Sequence, residues 1–90
     1  SVPLEVAEKT AMLFEDFAYL VEKGNKNAQT DALVATMMAR TAILSALYNV
    51  KINLGSIKDE TFVKETSDRV KALEQFAIEK EAYVLGLSDL

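Results

Sequence analysis

The sequence predicts an all-α fold: three helices in an antiparallel up-down arrangement with a long, buried central helix, forming part of a larger helical bundle. Three observations carry this expectation. Apolar residues recur at helical spacing along most of the chain, while the period-two alternation of a half-buried strand is missing. The single proline stands at position 3, where it does not interrupt any later element. Polar breaks around Gly24 and Gly55 are short enough to join antiparallel neighbours. The chain reads as one partial domain over residues 1–90, with helices at about 4–23, 30–54 and 59–85.

The first helix follows Pro3, a residue suited to a first helical turn, with Ser1 or Val2 before it. Glu5 and Glu8 complement the positive end of the helix dipole and Lys23 the negative end. Val6, Leu13, Phe17 and Leu20 form one apolar stripe, and Ala7, Ala11, Phe14, Ala18 and Val21 the adjoining one. Gly24 is placed as the residue just past the helix end.

The central helix, from about Thr30 to Leu54, would be capped by Thr30 or Asn27 and stopped by Gly55. Between Asp31 and Lys51 its only charge is Arg40. A helix that apolar must be covered on nearly all sides. The rest of the chain is too short to do so, which predicts a homo-oligomer or a missing N-terminal half of the same domain.

The third helix starts at Asp59, a good N-cap, and ends near Leu85 at Gly86. Its expected buried stripe is Phe62, Val70, Leu73, Phe76, Ala77, Tyr83 and Val84. Glu60–Lys64 and Glu65–Arg69 are favourable i,i+4 pairs.

Composition removes several functions. Half of the 90 residues are hydrophobic, which excludes disorder. There is no cysteine and no histidine. That eliminates disulfides, thiolate metal sites, the usual general base and the commonest zinc ligand. Net charge is −4 and the basic residues are scattered, so no nucleic-acid partner is expected. The apolar run 32–54 is long enough to span a bilayer. Arg40, Ser45, Asn49, Lys51 and Asn53 interrupt it, and a central charge costs about 2.5–3.5 kcal/mol on insertion scales, so no membrane partner is expected. The N-terminal residues lack the basic and apolar regions of a signal peptide, and a cytoplasmic location follows.

Candidate chemistry gathers at the two ends of the central helix. Asn25, Lys26, Asn27 and Asp31 combine two amides, an ammonium and a carboxylate at a helix N-terminus, a geometry that binds anions and polar ligands. The same residues also suit a well-capped turn, and both readings stay open. Without histidine or cysteine, proton transfer must use Asp, Glu, Lys, Tyr or water. Asp31 is the candidate acid/base, because burial on an apolar helix retunes a carboxylate. At 100° per residue, Asp31, Ala35, Met38, Ala42, Ser45, Asn49 and Asn53 share one face, within about 40° of Asp31. Ser45 reads as part of a close helix–helix contact. Asn49 and Asn53 read equally as packing amides or as groups that hydrogen-bond a flat polar heterocycle. The remaining acidic residues fall mostly on wet faces of the first and third helices, as solubilising charges.

The stretches Ser1-Val2-Pro3-Leu4-Glu5-Val6-Ala7, Gly24-Asn25-Lys26-Asn27-Ala28, Thr30-Asp31, and Asn49-Val50-Lys51-Ile52-Asn53-Leu54 with Ile57-Lys58-Asp59 resemble the formiminotransferase-cyclodeaminase family. More narrowly, they resemble the C-terminal half of its cyclodeaminase domain. The resemblance implies an all-helical domain of about twice this length, active as a dimer in folate one-carbon metabolism. The implied reaction converts 5-formiminotetrahydrofolate to 5,10-methenyltetrahydrofolate and ammonia. The alternatives are a methenyltetrahydrofolate cyclohydrolase and a non-catalytic helical oligomerisation module. The tetrahydrofolate derivative would be the substrate, with no covalently bound cofactor and no metal. Asp31 would be catalytic, and Asn25, Lys26, Asn27, Asn49 and Asn53 substrate-binding. The family's usual serine and arginine are replaced here by Thr30 and Lys51, and Lys51 keeps the charge but not bidentate carboxylate recognition. The family's Pro-Gly-Gly-Gly motif is absent, so this polypeptide by itself is expected to be inactive.

Overall fold

The computed structural model describes residues 2–88 and is helical, with no strand among them. Four helices follow in order: α1 (Val2–Ala11), α2 (Phe14–Lys23), α3 (Lys26–Leu54) and α4 (Glu60–Gly86). Helices α1, α2 and α4 all pack on α3, the long central element. Across the α3–α4 seam, Arg40 faces Glu81 at 3.5 Å and Lys51 bonds Glu74 at 2.7 Å. As numbers rise on α3 they fall on α4, so the two run antiparallel. Phe14 meets Phe76 and Glu8 pairs with Arg69, so α1 and α2 run parallel to α4. The up-down arrangement expected from the short connections is therefore present.

The expected single helix over 4–23 is two helices. Met12 N–H donates to the Lys9 carbonyl at 3.2 Å and Leu13 N–H to the Thr10 carbonyl at 3.0 Å. These i→i−3 bonds tighten one turn, while the backbone at Leu13 stays right-handed (φ −78, ψ −16). No proline or glycine stands here to signal the break. The tightened turn keeps Ala7, Ala11, Phe14, Ala18 and Val21 on the core side at alternating spacings of four and three. The expected second stripe lies outside it: Val6, Leu13 and Leu20 are exposed, and only Phe17 is partly buried. Ser1, proposed beside Val2 before Pro3, lies outside the described residues.

Packing follows a seven-residue repeat. On α4 the buried residues are Val70, Ala77 and Val84, seven apart. On α3 they are Ala32, Thr36, Ala39, Ile43, Leu47 and Val50, spaced three or four apart. Such spacing is the seam of helices packed nearly along one another, and the molecule measures 51 × 17 × 16 Å. The repeat corrects the expected stripe on α4. Phe62, Phe76 and Tyr83 are exposed, because they stand off the Val70–Ala77–Val84 line. Thr36, the one buried polar residue among the described residues, donates to the Ala32 carbonyl at 2.7 Å and so brings no unsatisfied hydroxyl with it.

Surface charges also pair differently from expectation. Lys64 bonds Asp68 at 2.9 Å rather than Glu60, and Arg69 reaches across to Glu8 rather than back to Glu65. The hydrogen bond from Lys64, then its charge, hold the Asp68 carboxyl below its ordinary value. Arg40 is close to Glu81 without the alignment of a hydrogen bond, leaving its buried Nε unbonded.

The connection before α3 is shorter than the sequence suggested. Only Gly24 and Asn25 separate α2 from α3. Asn25, not Asn27 or Thr30, is the cap: its Oδ1 accepts from Ala28 N–H at 2.9 Å. Thr30 instead donates to the Lys26 carbonyl at 3.0 Å. Gly24 stands just past the end of α2, as expected, with an extended backbone (φ −76, ψ 163). Its role is steric. A Cβ there would lie 2.5 Å from the Leu20 carbonyl oxygen and 2.9 Å from the Ala28 Cβ. Gly24→Ala should therefore destabilise the chain by about 1–3 kcal/mol through overpacking, seen as a lower midpoint in thermal unfolding. Gly55→Ala, with its nearest neighbour at 3.4 Å, should change the midpoint much less.

The core does not cover α3. Its length and composition would suffice to cross a membrane, yet only 28% of its most apolar stretch is buried within the chain. Val34, Met37, Met38, Tyr48 and Ile52 stand on the side away from α1, α2 and α4, with Ile52 73% exposed. The expectation of a surplus apolar surface is met. The expectation that the helix is buried on nearly all sides is not met within this chain.

Candidate functional site

The entrance cluster is built by the first two turns of α3. Asn25 spends its carbonyl oxygen on the helix cap, which fixes the direction in which the chain enters α3. Lys26 and Asn27 occupy the first turn, where the backbone N–H groups point outward unbonded and favour negative charge. Both side chains are exposed. One turn later Asp31 borders a shallow recess of about 280 Å³ between α2 and α3. Phe17, Leu20, Ala28, Ala32 and Ala35 complete its walls. Of the four entrance residues only Asp31 lines this recess. Asn27, one turn earlier, falls on the same side of α3, whereas Lys26 projects about 140° away around the helix. Asp31 is exposed, not buried on the apolar helix as expected.

The exit cluster is elsewhere. Asn49 and Asn53 are exposed near the C-terminal end of α3. Twenty-two residues separate Asp31 from Asn53, about 33 Å at 1.5 Å per residue. The two clusters share a helical face but cannot meet on one substrate within a single copy. The carbonyl of Asn53 accepts from the Ser56 hydroxyl at 3.0 Å, closing the helix end. The face between them carries Met38, Ala42 and Ser45, all exposed. It is therefore not a helix–helix contact inside this chain, as the small residues had suggested. Lys51, on the other side, is engaged by Glu74 and lies 5.0 Å from the Tyr48 ring. It works as a strut between α3 and α4.

A hollow larger than the Asp31 recess lies away from both clusters. A groove of about 1000 Å³ runs between α1–α2 and α4, lined by Phe14, Tyr19, Phe76, Lys80 and Tyr83 among others. The sequence assigned Phe76 and Tyr83 to the core and did not identify the groove. The signal available for it was the spacing of Glu8, Glu15 and Glu22, seven residues apart along its edge. No group of three or more acidic, histidine or cysteine side chains suited to a metal ion occurs among the described residues.

Comparison with known proteins agrees with the resemblance. The model of the formiminotransferase-cyclodeaminase family matches residues 1–72. The formimidoyltransferase-cyclodeaminase of Rattus norvegicus is 35% identical over 86 residues, which is 96% of this chain and 16% of that protein. That of Gallus gallus is 37% identical over 86 residues, with the same shares. The chain thus spans about one sixth of the length of the curated relatives it matches. No solved structure matches it.

Proposed function

We propose that this chain, which belongs to the formiminotransferase-cyclodeaminase family, supplies one wall of a folate site that converts 5-formiminotetrahydrofolate to 5,10-methenyltetrahydrofolate and ammonia. The observation that carries this reading is the α3 entrance: a carboxylate, Asp31, on the rim of an apolar recess, with Asn25, Lys26 and Asn27 in the cap and first turn of the same helix. In the reaction, N10 of the folate attacks the formimino carbon and a ring closes through the new C–N bond. The N10 proton must leave and the =NH nitrogen must gain two, one returned from N10 and one from solvent, so that the C–N bond breaks with release of ammonia and leaves the methenyl cation. Asp31 is the carboxylate assigned to take the N10 proton and return it to the leaving nitrogen, since the chain offers no histidine or cysteine for the task. Lys26 pairs with a carboxylate of the substrate, helped by the N-terminal end of the α3 dipole. Asn25 sets the helix entry, and Asn25 and Asn27 offer amide edges to the pterin.

Asn49 and Asn53 join that site only if another copy, or another part of the same domain, places an exit end beside an entrance. The uncovered outer face of α3 supports such an assembly, since it carries large apolar side chains along the same helix that bears both clusters. The 90-residue chain alone is then inactive. A methenyltetrahydrofolate cyclohydrolase would use the same groups on the same bridged carbon, with water as the attacking species, and supplying each substrate in turn separates the two activities.

Titration calorimetry with a tetrahydrofolate derivative, on the protein assembled with the rest of its domain, tests the binding role. Lys26→Ala should weaken binding about tenfold, the worth of one hydrogen bond to a charged group. Unchanged affinity would take the α3 entrance out of the site. The exposed α3 face also favours a second reading, a helical association module without chemistry. Its outcome is an assembled protein that binds no folate at all.

A further inference from the structure

The groove between α1–α2 and α4 lies on the side of the molecule away from the outer face of α3, and the proposed folate chemistry makes no use of it. Its floor is aromatic: Phe14 and Phe76 stand edge to face at 6.2 Å. Tyr19 and Tyr83 form exposed walls, at 66% and 54% exposure. Lys80 sits over the rings of Phe76 and Tyr83, at 5.6 and 5.5 Å, on the α4 wall. Along the opposite edge Glu8, Glu15 and Glu22 recur every seven residues. Each follows directly after a core residue of the heptad line, Ala7, Phe14 and Val21. In a packed helix pair that flanking position carries the ion pairs that choose the partner. Only the first of the three is satisfied, by Arg69 of α4. Among the described residues Glu15 and Glu22 have no ion-pair partner.

A trough of this kind has a definite complement. From Glu8 to Glu22 the edge runs about 21 Å, or two heptads, along nearly parallel helices. Exposed tyrosines over an apolar floor are the composition of an interface core rather than of a solvated surface. The unpaired carboxylates repel an anionic ligand such as a folate tail. We propose that this groove docks a partner helix that lays an apolar seam on the Phe14–Phe76 floor and presents lysine or arginine at seven-residue intervals to Glu15 and Glu22. The occupant is thus a basic amphipathic helix, and the acidic ladder sets its register.

The probe is a synthetic helical peptide of three heptads, with leucine at the two seam positions and lysine at the flanking one, and its counterpart with glutamate in place of lysine. Binding to this chain is read by fluorescence anisotropy. The lysine peptide should bind and the glutamate peptide should bind at least about tenfold more weakly, with the difference shrinking as salt rises. Glu15→Lys/Glu22→Lys should reverse that preference. Both positions are exposed, and matching circular dichroism spectra confirm that the helices are kept. Glu60→Lys/Glu65→Lys alters net charge equally, away from the groove, and should leave the preference as it was. Equal binding of the two peptides, binding of neither, or an equal loss in the Glu60/Glu65 variant overturns the proposal. None of these readouts involves folate, so failure here leaves the assignment of the α3 entrance standing, and the converse also holds.

Discussion

Phe14→Ala should unfold most of this chain at room temperature, with a loss of about 3–5 kcal/mol. Phe14 is 1% exposed and is the largest fully buried side chain. It sits where α2 begins and contacts both flanks: the Phe17 ring edge-on at 6.3 Å and the Phe76 ring at 6.2 Å. Truncation removes the transfer energy of the ring and leaves a hole between α2, α3 and α4 that alanine-rich neighbours cannot fill. The margin available is small. The radius of gyration is 15.0 Å, against about 12 Å for a compact chain of this length, so the core is thin and the surface large. Five of the twelve buried apolar residues are alanines. Chemical denaturation monitored by circular dichroism measures the loss. Leu20→Ala, at a 40% exposed position, is the control. Equal midpoints for the two variants would mean that Phe14 does not anchor the core.

Asp31→Asn, in the assembled enzyme, should lower kcat by about 10²–10⁴-fold, the range for loss of a positioned acid/base. Asparagine preserves the size and the hydrogen-bonding edge of the side chain but cannot exchange a proton. Substrate affinity and the unfolding midpoint should stay close to those of the parent, because Asp31 is exposed and bonds to nothing in the core. Single-turnover release of ammonia reports the step directly. Turnover within twofold of the parent would move the proton transfer to another group. Lys26→Ala should instead act on binding, so a kcat loss at Asp31 and a KM rise at Lys26 are separable signatures.

Legibility differed between elements for identifiable reasons. α4 begins where Asp59 predicts, because its cap is a local contact: the carboxylate accepts from Phe62 N–H at 3.1 Å. α3 begins a turn earlier than expected, because Asn25, Asn27 and Thr30 are all competent caps and only the two-residue turn at Gly24 selects among them. The break at Met12–Leu13 left no mark in residue type. Phe76 and Tyr83 were assigned to the core because hydrophobicity marks a residue as able to be buried, while the heptad line through Val70, Ala77 and Val84 decides which ones are. The candidate site was legible as two polar clusters on one helix. Their separation follows from helix rise alone. Their exposure does not, since it depends on which neighbours arrive.

The sequence by itself determined the helical class, the polar character of the α3 entrance and the excess of apolar surface. These depend on spacing, caps and composition, which are local; the family rests instead on the resemblance of whole stretches such as Gly24–Ala28 and Asn49–Leu54. The tertiary structure alone decided that the outer face of α3 is bare, that Lys51 is held by Glu74, and that a groove with an unmatched acidic edge opens between α1–α2 and α4. Those features depend on which faces of the helices meet, and a packing register is chosen by the fit of many side chains at once rather than by any residue read alone.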